Sequence, residues 1–263
     1  MPVKAKQHRN AWIRELDAAE KAECRLFCFP YAGGGASAYR AWLSGLPETI
    51  AVCPVQLPGR ERRVEELAVT ELGLMVRHIT QSLRLCFDRP FAFVGHCLGA
   101  LICFEVARNL RREKMPEPVH MFLSAHRPPH VELNRRYLHR LPDSEFLEEV
   151  RRFNGVPEWT LNDSELMAMA LPALRADFAL YENYYYAHED PLSIPTTVFG
   201  GQRDLVVTSD DLRAWQELIS GPFSLRMLPG DHFFLYGESQ PLVLESIQKQ
   251  LSGIKRELHL QTS

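Results

Sequence analysis

The fold is decided by one stretch near the middle of the chain, Phe91-Ala92-Phe93-Val94-Gly95-His96-Cys97-Leu98-Gly99-Ala100. Its four leading apolar residues predict a buried strand, and apolar residues recur at helical spacing from Ala100 to Leu110. Between strand and helix, Gly95 and Gly99 indicate a sharp turn in which a Cβ would strike neighbouring backbone. Such a turn exposes its central residue at a helix N-terminus, where the dipole stabilises negative charge. We therefore predict that Cys97 is a nucleophile, with a buried structural thiol as the alternative.

Six apolar runs of strand length recur along the chain, and four of them are nearly continuous, as strands buried on both faces of a parallel sheet are. Besides the run at Phe91–Val94, they are Arg25–Phe29, Ile50–Val55, Val119–Leu123, Thr196–Phe199 and Phe223–Leu228. Helix-length segments with apolar stripes lie between them, at Thr70–Leu85, Ala100–Leu110 and Pro241–Leu251. This alternation predicts one α/β domain over residues 1–263, with a mostly parallel central sheet and helices on both faces.

The section from about residue 135 to residue 188 interrupts the alternation. It contains three helix-like segments and no convincing strand: Asp143–Phe153, Ser164–Leu171 and Leu174–Tyr186. Because it lies between the fourth and fifth strand candidates, we predict a helical insertion into the sheet domain. Such insertions are often lids over active sites, and an elaborated crossover without mobility is the alternative.

The composition of the 263 residues is ordinary for a globular protein, with 46% hydrophobic residues, 24% charged residues and a net charge of −3. This charge gives no reason to expect nucleic acid or an anionic membrane as a partner. Met1–Asn10 lacks the apolar region of a secretory signal, and the apolar runs are too short to span a bilayer. The six cysteines suggest neither a disulfide framework nor a zinc site. We expect a cytoplasmic monomer without metal or other cofactor.

Two further motifs follow the last two strand candidates. Phe199–Asp204 ends in an acid directly after the fifth candidate, and Pro229–Phe233 contains a histidine after the sixth. Because parallel strands end at one edge of the sheet, His232 can reach back to Cys97 while Asp204 orients the imidazole and stabilises its charged form. The chain order nucleophile, acid, base is the order found in α/β hydrolases. We therefore predict a catalytic triad of these three residues on an α/β-hydrolase fold.

A glycine-rich loop follows the first strand candidate, in the stretch Phe29-Pro30-Tyr31-Ala32-Gly33-Gly34-Gly35-Ala36. An oxyanion hole needs backbone N–H groups that are free of secondary structure and aimed at the reacting carbonyl. The loop can supply one such group, and Leu98, directly after the nucleophile, can supply another. A phosphate-binding loop is the rival interpretation, but the Lys-Ser/Thr ending and the GxGxxG spacing are missing.

Three neighbours of the triad are weaker candidates. Asp231 is adjacent to His232 and cannot readily align with Nδ1 of that ring. His96 fills the variable position of the turn, where local packing or hydrogen bonding is favoured over chemistry. His126 follows the fourth strand candidate and is at most a residue that lines the site. None of the three is predicted to perform chemistry.

Five motifs of the chain form a recognisable set: Phe29–Gly34, Leu57–Glu61, Gly95–Gly99, Leu171–Asp177 and Gly230–Phe233. Together they resemble the type II thioesterases, which are stand-alone partners of polyketide and nonribosomal peptide synthetases. The set is also similar to the thioesterase II of medium-chain fatty acid synthesis. The resemblance runs from about Cys24 to Leu251.

The resemblance implies an acyl substrate held as a thioester on the phosphopantetheine arm of an acyl or peptidyl carrier protein, for editing or for release. It implies the same triad, with the amides of Ala32 and Leu98 as the oxyanion hole. The residues expected to contact the substrate are Tyr31, His96 and Phe233. Apolar residues of the insertion lead us to expect that part of it lines an acyl channel: Phe146, Phe153, Leu171, Phe178 and Tyr185.

The nucleophile departs from the family pattern, which has serine where this chain has Cys97. A thiolate is a strong nucleophile, so cysteine is chemically competent. The acyl group on sulfur remains a thioester and stays activated toward water, amines and thiols. Hydrolysis is the leading prediction, and an acyltransferase or release catalyst is the first alternative. A non-catalytic carrier-binding partner is the second, although the intact Asp204, His232 and glycine loop argue against it.

Basic residues near the expected mouth of the site could steer an acidic carrier protein. They are Arg60, Arg62, Arg63, Arg135, Arg136 and Arg140. A solvated charged face explains any single one equally well. Arg60 differs because it belongs to one of the five motifs, and a structural role beside the glycine loop fits it as well.

Overall fold

The computed structural model describes residues 11–13, 22–131, 137–152, 163–252 and 254. Its strands are β1 (Cys24–Phe29), β2 (Ile50–Pro54), β3 (Phe91–His96), β4 (Met121–Ser124), β5 (Thr196–Gly201) and β6 (Phe223–Leu228). Its helices are α1 (Leu72–Leu83), α2 (Leu98–Arg112), α3 (Asp143–Arg152), α4 (Ser164–Glu182), α5 (Ser209–Arg213) and α6 (Gln240–Leu251). The strands form one sheet in the order β2-β1-β3-β4-β5-β6, and every neighbouring pair is parallel. The predicted parallel α/β architecture is confirmed.

The central strands are buried on both faces, which explains their continuous apolar runs. All residues of β1, β3 and β5 are buried. In β3 the side chains alternate between two cores, with Phe91 and Phe93 in one and Ala92 and Val94 in the other. Each buried Phe removes enough apolar surface from water to contribute about 1.5–3 kcal/mol. The strand that leads to Cys97 is therefore held from both sides.

The observed bounds differ from the predicted ones in a few places. Each of the six predicted strands exists, with its ends shifted by two residues or fewer. The predicted segments Ser164–Leu171 and Leu174–Tyr186 are instead one helix, α4, which continues through Pro172. A proline inside a helix removes a hydrogen bond and costs about 3 kcal/mol. Tertiary packing of the helix on the sheet domain, which sequence periodicity does not show, compensates for that cost. No helix in the described part of the chain is both long and apolar enough to cross a membrane.

The turn between β3 and α2 depends on two glycines. A Cβ on Gly95 would lie 2.2 Å from the carbonyl oxygen of Gly99, and a Cβ on Gly99 would lie 2.1 Å from that of Phe29. These distances are well inside van der Waals contact, so only glycine permits the approach. The N-terminus of α2 therefore packs directly on the ends of β3 and β1.

We expect Gly99→Ala to destabilise the protein by at least about 1–3 kcal/mol, because the new methyl group would overlap the backbone of β1. Gly73→Ala is the matched control, since the nearest atom to its Cβ in helix α1 is Arg77 Nη1 at 3.5 Å. Alanine should raise helix stability there by about 0.5–1 kcal/mol. Urea unfolding measures both changes. Equal unfolding midpoints for the two variants would contradict the close packing at Gly99.

Candidate active site

The site lies at the carboxyl edge of the sheet, beside the first strand of the chain. Strand β1 has β2 on one side and β3 on the other, so the order of the strands reverses there. Such a reversal opens a crevice outside the strand ends, which is where α/β sheets bind ligands. The loops after β1, β3, β5 and β6 carry all of the predicted catalytic groups.

Cys97 occupies the tip of the turn between β3 and α2. Its φ of 52° and ψ of −120° form a strained backbone conformation for a residue with a side chain. Its N–H donates to the carbonyl of Ser124 at 2.8 Å, and its own carbonyl accepts from the N–H of Ala100 at 2.9 Å. Of the six cysteines, five are buried and Cys97 alone is partly exposed. Burial raises the pKa of Cys24 to about 12, so a thiol in the core remains protonated. The turn delivers Cys97 to the surface.

Asp204 and His232 form a buried pair beside this thiol. Asp204 Oδ2 lies 2.9 Å from His232 Nδ1, and the two side chains are 1% and 3% exposed. The other carboxylate oxygen accepts from the N–H groups of Val206 at 2.8 Å and Val207 at 3.2 Å. A Cβ on Gly201 would lie 2.3 Å from the carbonyl of Asp231, so glycine lets the two carrier loops touch. Hydrogen bonds within its own loop thus hold the Asp204 carboxylate in the orientation that binds the imidazole.

The charge state of His232 depends on both of its neighbours. Burial alone lowers its pKa, but hydrogen bonds to Asp204 and Cys97 and the negative charges of those groups raise the pKa to about 10. The imidazole is therefore protonated at neutral pH. Acylation of Cys97 would remove its interaction with the imidazole, so the pKa of His232 would fall. The same ring can thus give up a proton early in a reaction and accept one later.

Two backbone amides follow the ends of β1 and β3, those of Ala32 and Leu98. Ala32 lies in a turn closed by the hydrogen bond from Gly34 N–H to the Tyr31 carbonyl at 2.9 Å. Leu98 is the first residue of α2, where backbone N–H groups lack intrahelical partners. Among the described residues, no hydrogen-bond acceptor is bound to either N–H. Both N–H groups are thus available to a ligand, and their role as an oxyanion hole stays a prediction.

An ion pair that the sequence did not assign to the site holds the glycine loop. Arg60 donates to Asp177 through Nη1 at 2.5 Å and Nη2 at 2.8 Å, and the side chains are 6% and 0% exposed. Asp177 Oδ2 also accepts from the N–H of Gly33 at 2.7 Å. Both residues lie in motifs quoted above, and for Arg60 a structural role beside the glycine loop was one of the two roles considered. The two residues are 117 positions apart in the chain, so local sequence patterns did not show their pairing.

The three predicted substrate contacts differ in their placement. The ring of Tyr31 is 8% exposed and packs edge-on against Phe233, with ring centroids 5.1 Å apart. Phe233 is half-buried and also meets His232 at 5.4 Å. His96 is fully buried, and its Nδ1 lies 3.0 Å from Ser124 Oγ. Burial lowers the pKa of His96 well below 6.5. His96 therefore packs behind the turn and has no surface for a substrate in this conformation, which favours its local role.

Two further candidates are engaged locally. His126 is buried, and its Nδ1 donates to the carbonyl of Arg127 at 2.5 Å. Burial is the main cause that lowers its pKa to about 4, so the ring is neutral. Its ring packs on Tyr181 of α4 at 5.4 Å, which makes it part of the wall between the sheet and the insertion. Asp231 accepts from the N–H of Phe233 at 2.9 Å and stabilises that loop, while Asp204 is the acid that binds His232.

The proposed docking arginines are only partly available. Arg60 is buried in its pair with Asp177, and Arg63 is 8% exposed, binds Glu66 and stacks on Trp12 at 4.1 Å. These two cannot steer a partner and hold the chain around the glycine loop. Arg62 is exposed. Arg140 lies over the ring of Tyr137 at 4.5 Å. Arg135 and Arg136 lie outside the described residues.

The insertion meets the site through one face of α4. Leu174, Asp177 and Tyr181 recur at helical spacing and contact Gly33, Arg60 and His126 in turn. Phe146 is fully buried against Phe178 at 5.1 Å.

The other residues named for an acyl channel differ in exposure. Tyr185 is 69% exposed. Leu171 and Phe178 are partly buried and pack against the core. The acyl channel stays a prediction. Phe153 lies outside the described residues.

Comparison with known proteins identifies relatives across nearly the whole chain. The model of the thioesterase domain family matches residues 24–251, which include all six strands and the insertion. Gramicidin S biosynthesis protein GrsT of Aneurinibacillus migulanus is 44% identical over 242 residues, covering 92% of this chain and 94% of that protein. Thioesterase PikA5 of Streptomyces venezuelae is 34% identical over 225 residues, covering 85% and 80%. The solved structure of the type II thioesterase BorB from the borrelidin biosynthetic cluster is 33% identical with a TM-score of 0.84, covering 91% of this chain and 97% of that one.

We expect Asp204→Asn to lower the titration midpoint of His232 from about 10, because the amide supplies neither the charge nor the same acceptor. NMR titration of the imidazole signals measures this midpoint. His120 is the internal control, since burial lowers its pKa to about 4 and neither Asp204 nor His232 contributes to that shift. An unchanged His232 midpoint would contradict the assigned role of the acid.

The same shift has a consequence for stability. Because the folded pKa of His232 lies above its ordinary value of 6.5, its contribution is fully present below about pH 6.5 and is lost as the pH rises through about 10. Asp204→Asn should therefore unfold more easily at pH 6.5, and its unfolding free energy should change less between these two pH values.

Proposed function

The chain belongs to the thioesterase domain family and is a thioester hydrolase, and we propose that it removes acyl groups from the phosphopantetheine arm of carrier proteins through an acyl-Cys97 intermediate. The observation that carries the proposal is the buried Asp204–His232 pair beside a partly exposed thiol. Two free amides, those of Ala32 and Leu98, complete the arrangement. Together these groups match the needs of acyl transfer to and from sulfur.

In the first half of the reaction, Cys97 Sγ attacks the carbonyl carbon of the thioester. The carbonyl oxygen becomes negatively charged, and the amides of Ala32 and Leu98 stabilise it. Collapse of this intermediate breaks the bond to the pantetheine sulfur, and protonated His232 supplies the proton to that leaving thiolate. The acyl group is then attached to Cys97 and the imidazole is neutral.

In the second half, water attacks the acyl-Cys97 thioester. Neutral His232 accepts a proton from the water, and the same two amides stabilise the second oxyanion. The intermediate collapses to the free acid and returns Cys97 and His232 to their starting states. Asp204 keeps Nδ1 of the imidazole in place throughout and stabilises its charged form.

The proposed partners are an acyl or peptidyl carrier protein and the synthetase to which it belongs. Support comes from the relatives, which are described as a gramicidin S biosynthesis protein and as a type II thioesterase of the borrelidin cluster. By this analogy the enzyme clears or releases acyl groups in nonribosomal peptide or polyketide synthesis. Helix α4 and the rest of the insertion would act as a lid that moves to admit the arm, and Tyr31 and Phe233 would border the entering thioester.

We expect a carrier-bound acyl thioester to leave its acyl group on Cys97, which intact-protein mass spectrometry detects as an added mass. The adduct should be labile to hydroxylamine and absent in Cys97→Ala. Cys97→Ser should retain part of the activity, because the base and the oxyanion hole suit either nucleophile. Asp204→Asn should slow adduct formation by at most about 10³–10⁴-fold, since a thiolate needs less activation than an alcohol.

Unchanged turnover in Cys97→Ala would overturn the assignment of the nucleophile. An adduct that resists water but is cleared rapidly by an added amine or thiol would replace hydrolysis with acyl transfer.

We also expect a higher kcat/KM for an acyl carrier protein than for the same acyl group on N-acetylcysteamine. Contacts with the carrier surface can stabilise the transition state as well as the bound substrate. Steady-state assays of free acid release measure both constants. Comparable values for the two substrates would contradict a carrier protein as the partner while leaving the thioesterase chemistry intact.

A further inference from the structure

We propose that Asp177 is a positioning residue that couples assembly of the oxyanion hole to the seating of helix α4. It acts through its hydrogen bond to Gly33 and its ion pair with Arg60. This inference rests on the proposed function, because it assumes that the amide of Ala32 stabilises an oxyanion.

The turn that contains Ala32 can adopt more than one backbone conformation, and a hydrogen bond from another part of the chain can select one of them. Ala32 and Gly33 are its two central residues, and Gly33 has a φ of +76°. A positive φ at the third position is the mark of a type II turn, which differs from a type I turn by a flip of the central peptide. The N–H of that central peptide belongs to Gly33 and is bound by Asp177 Oδ2 at 2.7 Å. Asp177 therefore fixes the peptide unit that directly follows the Ala32 N–H group.

The second half of the turn is held by the same charged pair. Arg60 Nη1 donates to the carbonyl of Gly34 at 3.3 Å, and its Nε donates to that of Pro58 at 3.2 Å. Both oxygens of Asp177 accept from the guanidinium, and Oδ2 also accepts from the N–H of Gly33. The glycine loop is thus bound at the N–H of Gly33 and the carbonyl of Gly34.

Stability alone does not account for this pair. Two buried charges pay a large desolvation cost, and apolar residues of similar volume are often equally stable or better in such places. An ion pair differs from an apolar contact because it fixes direction as well as proximity. Here the direction that matters is that of the Gly33 N–H bond.

Helix α4 contributes Asp177 from the insertion, and this creates the coupling. Leu174 lies one turn before Asp177 on the same face of α4 and packs on Gly33. A Cβ added to Gly33 would lie 3.0 Å from Leu174 Cδ1. If α4 moves away to admit the pantetheine arm, Gly33 loses its acceptor and its packing partner together. The Ala32 amide is then aligned only after the helix returns over the bound thioester. The carbonyl is activated in the closed state, with the substrate enclosed.

The test separates chemistry at a carbonyl from chemistry at the thiol alone. Asp177→Asn should lower kcat for acyl carrier protein on the order of 10²-fold with little change in KM, as displaced catalytic groups do. The affinity for an acyl aldehyde, whose adduct with Cys97 bears an oxygen in the same hole, should fall in parallel. Alkylation of Cys97 by iodoacetamide needs the thiol and His232 but no oxyanion hole. Its rate should stay at the wild-type value.

Two further variants separate positioning from stability. Arg60→Met combined with Asp177→Leu removes both charges, so it should restore thermal stability where the single variant has lost it. Gly33 still lacks its acceptor, so kcat and aldehyde affinity should remain low. Glu105→Gln is the matched control. Glu105 on α2 accepts from Arg108 at 2.5 Å and from Tyr184, just after α4, at 2.7 Å, so the change removes a buried charge near α4 and leaves the acceptor of Gly33 in place. This control should lose stability without a selective loss of carbonyl chemistry.

The proposal is overturned if the double variant regains kcat together with stability, or if Asp177→Asn slows alkylation as much as turnover. Failure of the proposed function gives a different pattern. In that case the wild-type enzyme hydrolyses no carrier thioester, yet its aldehyde affinity still depends on Asp177.

Discussion

The site depends on one close backbone contact, that of Gly99 at the start of α2 with the carbonyl of Phe29 at the end of β1. This contact brings the nucleophile turn and the glycine loop together at the point where the strand order reverses. It also places Leu98 and Ala32, whose N–H groups have no bound acceptor among the described residues, just after neighbouring strand ends. Two amides that follow different strands can bind the same substrate oxygen only if the two strand ends are in close contact. Here that contact leaves no room for a Cβ on Gly99. The strained backbone at Cys97 is tolerated because β3 is buried in both cores.

Burial acts differently on three histidines near this crevice, and the difference explains which of them can transfer protons. His96 and His126 are buried without an acid, so desolvation lowers their pKa values and both remain neutral. His232 is equally enclosed, but the carboxylate of Asp204 lies 2.9 Å from its Nδ1. Its pKa is raised instead, to about 10. Of these three histidines, only His232 contacts both Asp204 and Cys97, and these two groups offset the effect of burial on its pKa.

The sequence predicted those parts of the structure that local pattern determines. Continuous apolar runs indicated the six strands, and the glycines around Cys97 indicated the turn. The convergence of Asp204 and His232 followed from the rule that parallel strands end at one edge. The contacts of Asp177 were not predicted, because its partners are separated from it by more than one hundred residues. The continuity of α4 through Pro172 was missed for a related reason, since tertiary packing opposed a strong local signal. The burial of His96 reflects rings from the loop after β6, whose approach periodicity does not show.

In the proposed mechanism, a cysteine nucleophile changes how much each of two parts of the site contributes to catalysis. One part is the Asp204–His232 pair, which activates the nucleophile and moves its proton. The other is the pair of amides that activates the carbonyl, with Ala32 held by Gly33 and Asp177. Serine depends strongly on the first part because an alcohol is a poor nucleophile without a base, whereas a thiolate needs less help. The oxyanion that forms is the same for either nucleophile, so the demand on the amides is undiminished. With a cysteine nucleophile, the rate of the proposed reaction therefore depends less on the base and more on the glycine loop and on helix α4, which holds that loop.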